Sequence, residues 1–233
     1  MSEFDKLIGV DETGVGDYFT PVVSVACYIP EENIEKVREM GVKDSKKLTD
    51  NKIVEIAEKI KPYVFFKKNV LSQRGYNNLI KNDINNNEIK TLSHLNSINQ
   101  LLKMLKKSVD VIIDQYTNSY ETFENHIEKL QSITWMKVRK PKVNIILKTK
   151  AEDESLSVAA ASILARAIML EYLKEQNAEF GVDFKLGAGP EVDAQAAKLI
   201  QERGEAILYQ VAKVSFKTTN KAKDSIEKTK LLD

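Results

Sequence analysis

The stretch of residues 7–21, LIGVDETGVGDYFTP, constrains this chain more than any other. An apolar run leads there into Asp11 and Glu12, and a turn with Gly14 and Gly16 follows at once. This order predicts a β-strand that ends where a functional site begins, because glycine has no Cβ and lets a backbone or a phosphate approach closely. A strand end followed by a solvated loop gives the same pattern, so the residues alone leave both interpretations open.

The two adjacent acids raise a geometric question. Side chains alternate between the faces of a strand, so Asp11 and Glu12 face opposite ways in a regular strand. For both carboxylates to serve one site, we expect Glu12 to lie past the regular strand, where the turn redirects it.

A second apolar strand also ends in an acid. Residues 109–115 read VDVIIDQ, and Asp114 closes the apolar run. Parallel strands bring their carboxyl ends to one edge of a sheet, where ligands bind in α/β folds, so Asp114 is a candidate partner of the first two acids. The alternative is that Asp114 caps the helix that follows.

The remaining sequence supplies further strands and helices. Strand patterns recur at residues 21–29, 63–71 and 143–148, and helical patterns at residues 51–60 and 88–106 and in the alanine-rich run after Ser157. The strand at residues 21–29 is predicted to be the antiparallel neighbour of the first strand. Residues 74–87 are polar and rich in asparagine.

Length and composition indicate one sizeable domain with a real core, since 42% of the 233 residues are hydrophobic. We therefore predict a single domain over residues 1–233, with a core at about 1–215 and a peripheral tail, helical and lysine-rich, at 216–233. The 35 Lys and Arg residues balance 34 Asp and Glu residues, for a net charge of +1. Any nucleic-acid binding must therefore come from local charge asymmetry.

Cysteine and histidine usage narrows the kinds of site. Cys27 lies in an apolar run, and one thiol forms no internal disulfide. Only His94 and His126 are available to join it, which excludes a Cys-His metal site. No signal pattern opens the chain and no apolar run approaches membrane-spanning length, so we expect a cytoplasmic monomer without a membrane partner.

The most basic stretch spans residues 135–150, WMKVRKPKVNIILKTK. Its cations are Lys137, Arg139, Lys140, Lys142, Lys148 and Lys150. They are candidates for an electrostatic contact with nucleic acid, and they are equally typical of a solvated sheet edge that resists aggregation.

The segments IGVDETGVGDYFTPVVSVACYI and GVKDSKKLTD resemble the start of the type 2 ribonucleases H, most of all ribonuclease HIII. The resemblance continues through much of the chain. It implies an α/β fold of the RNase H type, with a mixed five-stranded central sheet flanked by helices. It also implies an endoribonuclease that hydrolyses the RNA strand of RNA–DNA hybrids with two divalent ions, Mg²⁺ or Mn²⁺.

The resemblance assigns four metal-binding, catalytic acids. Three are Asp11, Glu12 and Asp114, the last at the end of the fourth strand. The fourth acid lies six positions before the family's equivalent of Val158, which is Glu152 here; Asp153 and Glu154 are competitors. Oxygen ligands without Cys or His suit Mg²⁺ or Mn²⁺, and the cations relieve the repulsion between the carboxylates.

The resemblance also points to residues that contact the substrate: Gly14, Val15, Gly16, Ser45, Lys46 and Lys185. The amides of the glycine turn are suited to approach the ribose 2′-hydroxyl, which distinguishes RNA from DNA. Val15 departs from the family's usual arginine or threonine. Lys90 and His94 match a lysine and histidine on one helix of the family, where His94 is either a nucleic-acid contact or a packing residue.

Two features bear on rival functions. Type HII enzymes usually carry a tyrosine in the segment of residues 183–199, which helps to recognise an RNA–DNA junction, and none stands there. Six residues precede the first strand, whereas ribonuclease HIII usually has an N-terminal substrate-binding domain. The rivals are HII-like incision at single ribonucleotides in duplex DNA and a non-catalytic hybrid-binding module.

Overall fold

A computed structural model describes residues 2–42 and 48–230 of the chain. Five strands, β1 to β5 in chain order, form one sheet: Ile8–Thr13, Val22–Tyr28, Phe65–Leu71, Val111–Asp114 and Ile145–Lys148. Their order across the sheet is β3-β2-β1-β4-β5. Strand β1 pairs antiparallel with β2 and parallel with β4, and β4 pairs parallel with β5. The predicted mixed five-stranded sheet is confirmed.

Helices α1 to α10 follow in chain order within the described residues: Ile34–Glu39, Asp50–Ile60, Gln73–Lys81, Asn86–Leu105, Tyr120–Ser132, Ala151–Glu154, Leu156–Phe180, Pro190–Arg203, Leu208–Val211 and Lys217–Lys230. Short 3₁₀ turns lie at Glu3–Lys6, Glu31–Asn33, Lys61–Tyr63, Thr134–Met136 and Glu205–Ile207.

The chain divides into two compact units. The first comprises Met1–Thr13, Val23–Val70 and Asn86–Ile168, and the second comprises Gly14–Val22, Leu71–Asn85 and Met169–Asp233. The boundary therefore falls directly after β1 and again within α7. A single domain over the whole chain stays a prediction.

The core of the first unit covers both faces of the central strands. Ile8, Val10, Val111 and Ile113 are fully buried and pack with apolar residues of α4 and α5, such as Leu95. On the other face, Ile112 packs with Ala151 and Val158. A parallel pair buried on both faces needs an uninterrupted apolar run, which is why β4 reads VIID.

The long helix α7 lies against β1 with almost no space between them. A Cβ added at Gly9 would come within 2.2 Å of the backbone carbon of Ser157 and the backbone nitrogen of Val158. Small residues follow on the helix, where Ala159, Ala160 and Ala161 are buried. Glycine at position 9 is therefore required for this approach.

The second unit has its own aromatic core. Tyr18 and Phe19 are fully buried, and Phe19 packs against Phe184 with ring centroids 4.9 Å apart. Helix α10 contributes to this unit, because the Tyr18 hydroxyl lies 2.8 Å from the hydroxyl of Thr219 and Ala222 is fully buried. The tail predicted to be peripheral therefore contains buried residues and packs against α8.

Helix α3 forms where the sequence shows a polar, asparagine-rich stretch. Its N-terminus is capped by Ser72, whose hydroxyl accepts from the Gly75 amide at 3.2 Å. Its buried polar residues bond to backbone carbonyls: the Gln73 amide donates to Phe19 at 2.6 Å, and the Asn77 amide donates to Ala212 at 2.8 Å. Polar residues take buried positions here because each finds a hydrogen-bond partner.

Helix α7 is long and apolar enough to span a membrane by length and composition, contrary to the expectation from the sequence. It has 25 residues, and 67% of its most apolar window is buried within the protein, as in the core helix of a globular protein. The predicted absence of a membrane partner stays a prediction.

We predict that Gly9→Ala destabilises the fold by more than about 2 kcal/mol, because the added methyl group collides with backbone atoms that do not move independently of α7. Urea unfolding measures the change. The matched control is Gly16→Ala, since nothing lies within 4 Å of a Cβ at that position. Equal stability of the two variants would contradict the close packing of α7 on β1.

Candidate active site

Three of the predicted acids lie at the carboxyl ends of β1 and β4. Val10 is opposite Ile113 in the parallel ladder, so Asp11 and Asp114 are the next residues along the two strands. Glu12 follows on β1, where it is paired with Ser24 of β2. The sequence pattern of two strands that end in acids thus has the predicted structural meaning, because parallel strands end at the same edge.

Asp11 lies in an environment that disfavours its charge. Burial raises the pKa of Asp11, the nearby carboxylates of Glu12 and Asp114 raise it further, and a hydrogen bond with Ser162 of α7 partly opposes the rise. Its Oδ1 also accepts the backbone amide of Glu12 at 2.8 Å. A carboxylate with raised pKa beside two others is typical of a functional site.

Glu12 is held by two side chains of α4. Its Oε2 lies 2.8 Å from Nε2 of His94, and its Oε1 lies 2.8 Å from Nζ of Lys90. Burial alone would raise the pKa of Glu12, but the hydrogen bonds and charges of His94 and Lys90 outweigh it and bring the pKa below its ordinary value. Because Lys90 and His94 are one helical turn apart on α4, both side chains can contact the Glu12 carboxylate at the same time.

One expectation from the sequence is corrected here, and for His94 one of two alternatives is favoured. Glu12 lies within β1 and not past it, so the two acids take partners on different helices, as side-chain alternation requires. His94 is fully buried and its ring packs edge-on against Tyr116, with centroids 5.2 Å apart. This burial favours a packing role for His94, which is a hydrogen-bond partner of Glu12.

Glu152 is the second residue of the short helix α6, which begins beside Asp114. The backbone amide of Ala151 donates to Oδ1 of Asp114 at 3.0 Å, which fixes the start of α6 at the end of β4. Glu152 is 5% exposed, whereas its neighbours Asp153 and Glu154 are exposed. Glu154 pairs instead with Lys148 at 2.9 Å. Burial favours Glu152 over both competitors as the fourth acid.

The acids are not gathered into a tight cluster. Within residues 2–42 and 48–230, no three His, Cys, Asp or Glu side chains converge closely enough to hold a metal ion. The partners of the acids explain this, since Glu12 is drawn to α4 and Asp114 is bonded to the start of α6. The donor set still fits a hard divalent cation, because it consists of carboxylate oxygens whose mutual repulsion raises the pKa of Asp11.

A cavity of about 270 Å³ adjoins Glu12 in the first unit. Thr13, Leu48 and Ser162 contribute to its lining. Arg166 of α7 also lines it and is paired with Asp50, with Nε 3.0 Å from Oδ1 and Nη2 3.2 Å from Oδ2. The predicted contacts Ser45 and Lys46 lie just before this cavity in the sequence, outside the described residues.

The glycine turn after β1 belongs to the second unit. Gly14 has a φ of +83°, and a Cβ there would lie 2.1 Å from the carbonyl oxygen of Pro21, so no other residue fits. Val15 is half-buried and Gly16 is exposed. Asp17 accepts the Gly187 amide at 2.6 Å, which joins the turn to the loop that carries Lys185. Lys185 is exposed and pairs with Asp183 at 3.0 Å.

A buried lysine that the sequence analysis missed holds this turn. Nζ of Lys213 donates to the carbonyl oxygens of Gly14 at 2.7 Å and of Thr20 at 2.6 Å, and the residue is fully buried. Burial lowers the pKa of Lys213 to about 7, although the charge of Asp17 opposes the shift. The available signal was its place in the apolar run VAKVSF, where an ordinary surface lysine is unexpected.

Comparison with known proteins identifies the family. The ribonuclease HII family model matches residues 8–219. The chain belongs to the ribonuclease HII family. It is 37% identical over 219 residues to ribonuclease HIII of Bacillus mycoides (strain KBAB4), covering 93% of this chain and 68% of the relative.

Solved structures of this family share the fold. Bst-RNase HIII in complex with Mn²⁺ superposes with a TM-score of 0.85 at 33% identity, covering 94% of this chain and 70% of that chain. Aquifex aeolicus RNase H3 superposes with a TM-score of 0.72 at 29% identity, covering 91% and 73%. The RNase H-like fold and the ribonuclease H class of enzyme predicted from the sequence are confirmed, whereas the individual site residues stay predictions.

We predict that Asp11→Asn stabilises the cation-free ribonuclease at neutral pH by on the order of 1 kcal/mol. The folded-state pKa of Asp11 is raised above 3.8, so the folded chain binds more protons than the unfolded chain above that pH, and the wild type loses stability as pH rises. Asparagine does not titrate, so its advantage should grow with pH. Unfolding in chelator at acidic and neutral pH measures it.

The control for this variant is Asp110→Asn. Asp110 stands at the opposite end of β4, is exposed, and likewise accepts one backbone amide, from Asn144 at 3.0 Å. It should show no such pH-dependent gain. A gain of equal size in both variants would mean that net charge, and not the crowding around Asp11, sets the stability.

We predict that Lys213→Met destabilises the second unit by about 2 kcal/mol, because two buried carbonyl groups lose their donor. Between pH 7 and 10.5 the unfolded chain binds more protons at Lys213 than the folded chain does, so wild-type stability rises across that window. The deficit of the variant should therefore grow with pH. Urea unfolding at both ends of the window tests this, with the exposed Lys217→Met as control; a deficit that shrinks with pH would refute it.

Proposed function

We propose that Asp11, Glu12, Asp114 and Glu152 are the acids with which this ribonuclease H hydrolyses the RNA strand of RNA–DNA hybrids. The observation that carries the proposal is the position of Asp11, Glu12 and Asp114 at one edge of the sheet, in a chain of the ribonuclease HII family. Glu152 joins them through the bond between Ala151 and Asp114. The reaction is endonucleolytic and leaves 5′-phosphate and 3′-hydroxyl ends.

Divalent cations complete the site. The Mn²⁺ complex of Bst-RNase HIII agrees with the Mg²⁺ or Mn²⁺ predicted here. Oxygen-only donors suit either ion, and a cation would offset the repulsion that raises the pKa of Asp11. Asp11, Glu12, Asp114 and Glu152 would hold two such ions, which would supply an activated water and charge stabilisation at the leaving 3′-oxygen.

The chain's own residues orient the carboxylates. Lys90 and His94 fix both oxygens of Glu12, so this side chain is held in one rotamer while its charge is maintained. Ser162 and the Glu12 amide fix Asp11, and the Ala151 amide fixes Asp114. Pre-positioned groups of this kind lower the reorganisation needed during the reaction.

Substrate recognition is assigned to residues of the second unit and to Ser45 and Lys46, which lie outside the described residues. The amides of Gly14, Val15 and Gly16 approach the ribose 2′-hydroxyl, since the two glycines that flank Val15 leave room for it. Lys185 contacts a backbone phosphate, and Ser45 and Lys46 are assigned the same role. Lys213 and Asp17 support the glycine turn by bonding to Gly14 and Gly187. A monomeric state, a cytoplasmic location and the absence of a membrane partner stay predictions.

We predict that the wild type cuts a labelled RNA–DNA hybrid in Mg²⁺ or Mn²⁺ and that Asp114→Asn lowers the rate by at least about 100-fold. Chelator should abolish cutting, because the acids then repel the scissile phosphate. Asp110→Asn, directly before the same strand, is the control and should keep the wild-type rate. Cleavage of a duplex with a single embedded ribonucleotide, measured in parallel, separates this activity from HII-like incision.

The same assay resolves the fourth acid. Glu152→Gln should lose activity, whereas Asp153→Asn, the exposed neighbour, should retain it. If the wild type binds hybrid without cutting it in either metal, the enzyme proposal fails and a binding module remains.

A further inference from the structure

A strongly basic cavity of about 470 Å³ lies in the first unit, apart from the acids. We call it the basic groove and define it by its five cations: Lys106, Lys107, Arg139, Lys140 and Lys142. All five are exposed. The other residues that line it in the described part of the chain are uncharged, so the lining there contains no carboxylate.

Local structure builds the groove from two segments. Helix α4 ends at Leu105, and Lys106 adopts a left-handed φ of +53°, which turns the chain sharply at the edge of the groove. The second segment is residues 139–143. It is bonded to α4 by the side-chain amide of Asn99, which donates to the carbonyl of Arg139 at 2.7 Å. Pro141 is buried between its charged neighbours. The cations are thus held on ordered backbone.

Most of this charge lacks an intramolecular counter-ion. Lys140 pairs with Glu124, and Lys107 donates to the Tyr28 hydroxyl at 2.8 Å while its Nζ lies 4.1 Å from the centre of that ring. Over the stretches that the structure describes, Lys106, Arg139 and Lys142 form no ion pair. In a chain of net charge +1, this is the local asymmetry that polyanion binding requires.

The groove and the acids lie at opposite ends of the same two strands. Lys106 and Lys107 precede β4, which ends in Asp114, and residues 139–142 precede β5. Because β4 and β5 are parallel, everything that directly precedes them lies at one edge and everything that directly follows lies at the other. A nucleic-acid segment at the acids therefore does not continue straight into the groove.

We propose that the basic groove binds the sugar–phosphate backbone of a second nucleic-acid segment, a single-stranded flank of the hybrid whose cleavage is proposed above. A single strand is flexible enough to pass from one edge of the sheet to the other, as a stiff duplex is not. Trp135, four residues before Arg139, is 60% exposed, and such a ring offers a base a stacking surface. The groove serves affinity and not chemistry.

The test compares two substrates in chelator by fluorescence anisotropy: a blunt hybrid of about 12 base pairs, and the same hybrid with a single-stranded DNA tail of about 15 nucleotides. The variant is Lys106→Gln, Arg139→Gln and Lys142→Gln combined. We expect the tail to raise wild-type affinity about tenfold at low salt and the variant to lose this gain. The salt slope for the tailed substrate should fall by about 2, since about 0.7 counter-ion is released per neutralised phosphate.

The control removes the charge of three lysines of the α2 region, the exposed Lys52 and Lys59 and the half-buried Lys61, each by substitution with Gln. It should keep the gain from the tail, and thermal melting verifies that both variants are folded. Cleavage of the blunt hybrid in Mg²⁺ should be unchanged by the groove variant, since none of its three residues is assigned to the site of cleavage.

Three results would overturn the groove. The first is a groove variant that still binds the tailed hybrid more tightly than the blunt one, and the second is an equal loss of this gain in affinity in the groove variant and in the control. The third is displacement of the tailed hybrid by poly-glutamate at equal charge, which would indicate a protein-docking surface instead. A wild type that fails to cut the blunt hybrid refutes the proposed function separately. The groove is still supported in that case if the variant alone loses the gain from the tail.

Discussion

Neighbouring half-buried acids at the ends of β1 and β4 are the constraint on which the rest of the first unit depends. Asp11 is crowded by Glu12 and Asp114, and burial adds to the cost of its charge. In a poorly solvated setting this repulsion costs free energy that other interactions must offset. The central strands provide that offset, because the burial of their apolar residues on both faces contributes favourable free energy that exceeds the cost of the acids at one edge.

Each acid is stabilised by a different element of the fold. Lys90 and His94 of α4 hold Glu12, Ser162 of α7 bonds to Asp11, and the first amide of α6 bonds to Asp114. The close approach of α7 to Gly9 brings Ser162 under β1, so a glycine without any chemical role determines a contact at the site. Because these partners lie on three different helices, α4, α7 and α6, they hold the three carboxylates apart from one another.

The sequence predicts those parts of the site that depend on local pattern. Asp11, Glu12 and Asp114 are recognisable because each ends an apolar run, and parallel pairing then brings the runs together. Lys213 escapes such analysis because its partner Gly14 is 199 residues away. Helix α3 escapes it for a similar reason, since its buried Gln73 bonds to a backbone carbonyl 54 residues away and looks solvent-facing in the sequence. The prediction that Glu12 lies past β1 was wrong. It assumed that the turn redirects the side chain, whereas Glu12 stays in β1 and Lys90 and His94 of α4 bind its carboxylate.

The near-zero net charge of the chain conceals an uneven distribution of charged residues in the first unit. Within a chain of net charge +1, acids stand at the carboxyl ends of the parallel strands and cations without an ion pair precede those strands, so the two edges of the sheet differ in charge. A polyanion is repelled by the carboxylate edge until cations occupy it, and it is attracted to the basic groove whether they do or not. In the proposal made above, a single-stranded flank binds the groove and tethers its hybrid, whereas a blunt hybrid has no flank to bind there. Steering of this kind raises the association rate without adding a contact at the scissile phosphate, and it weakens as salt screens the groove.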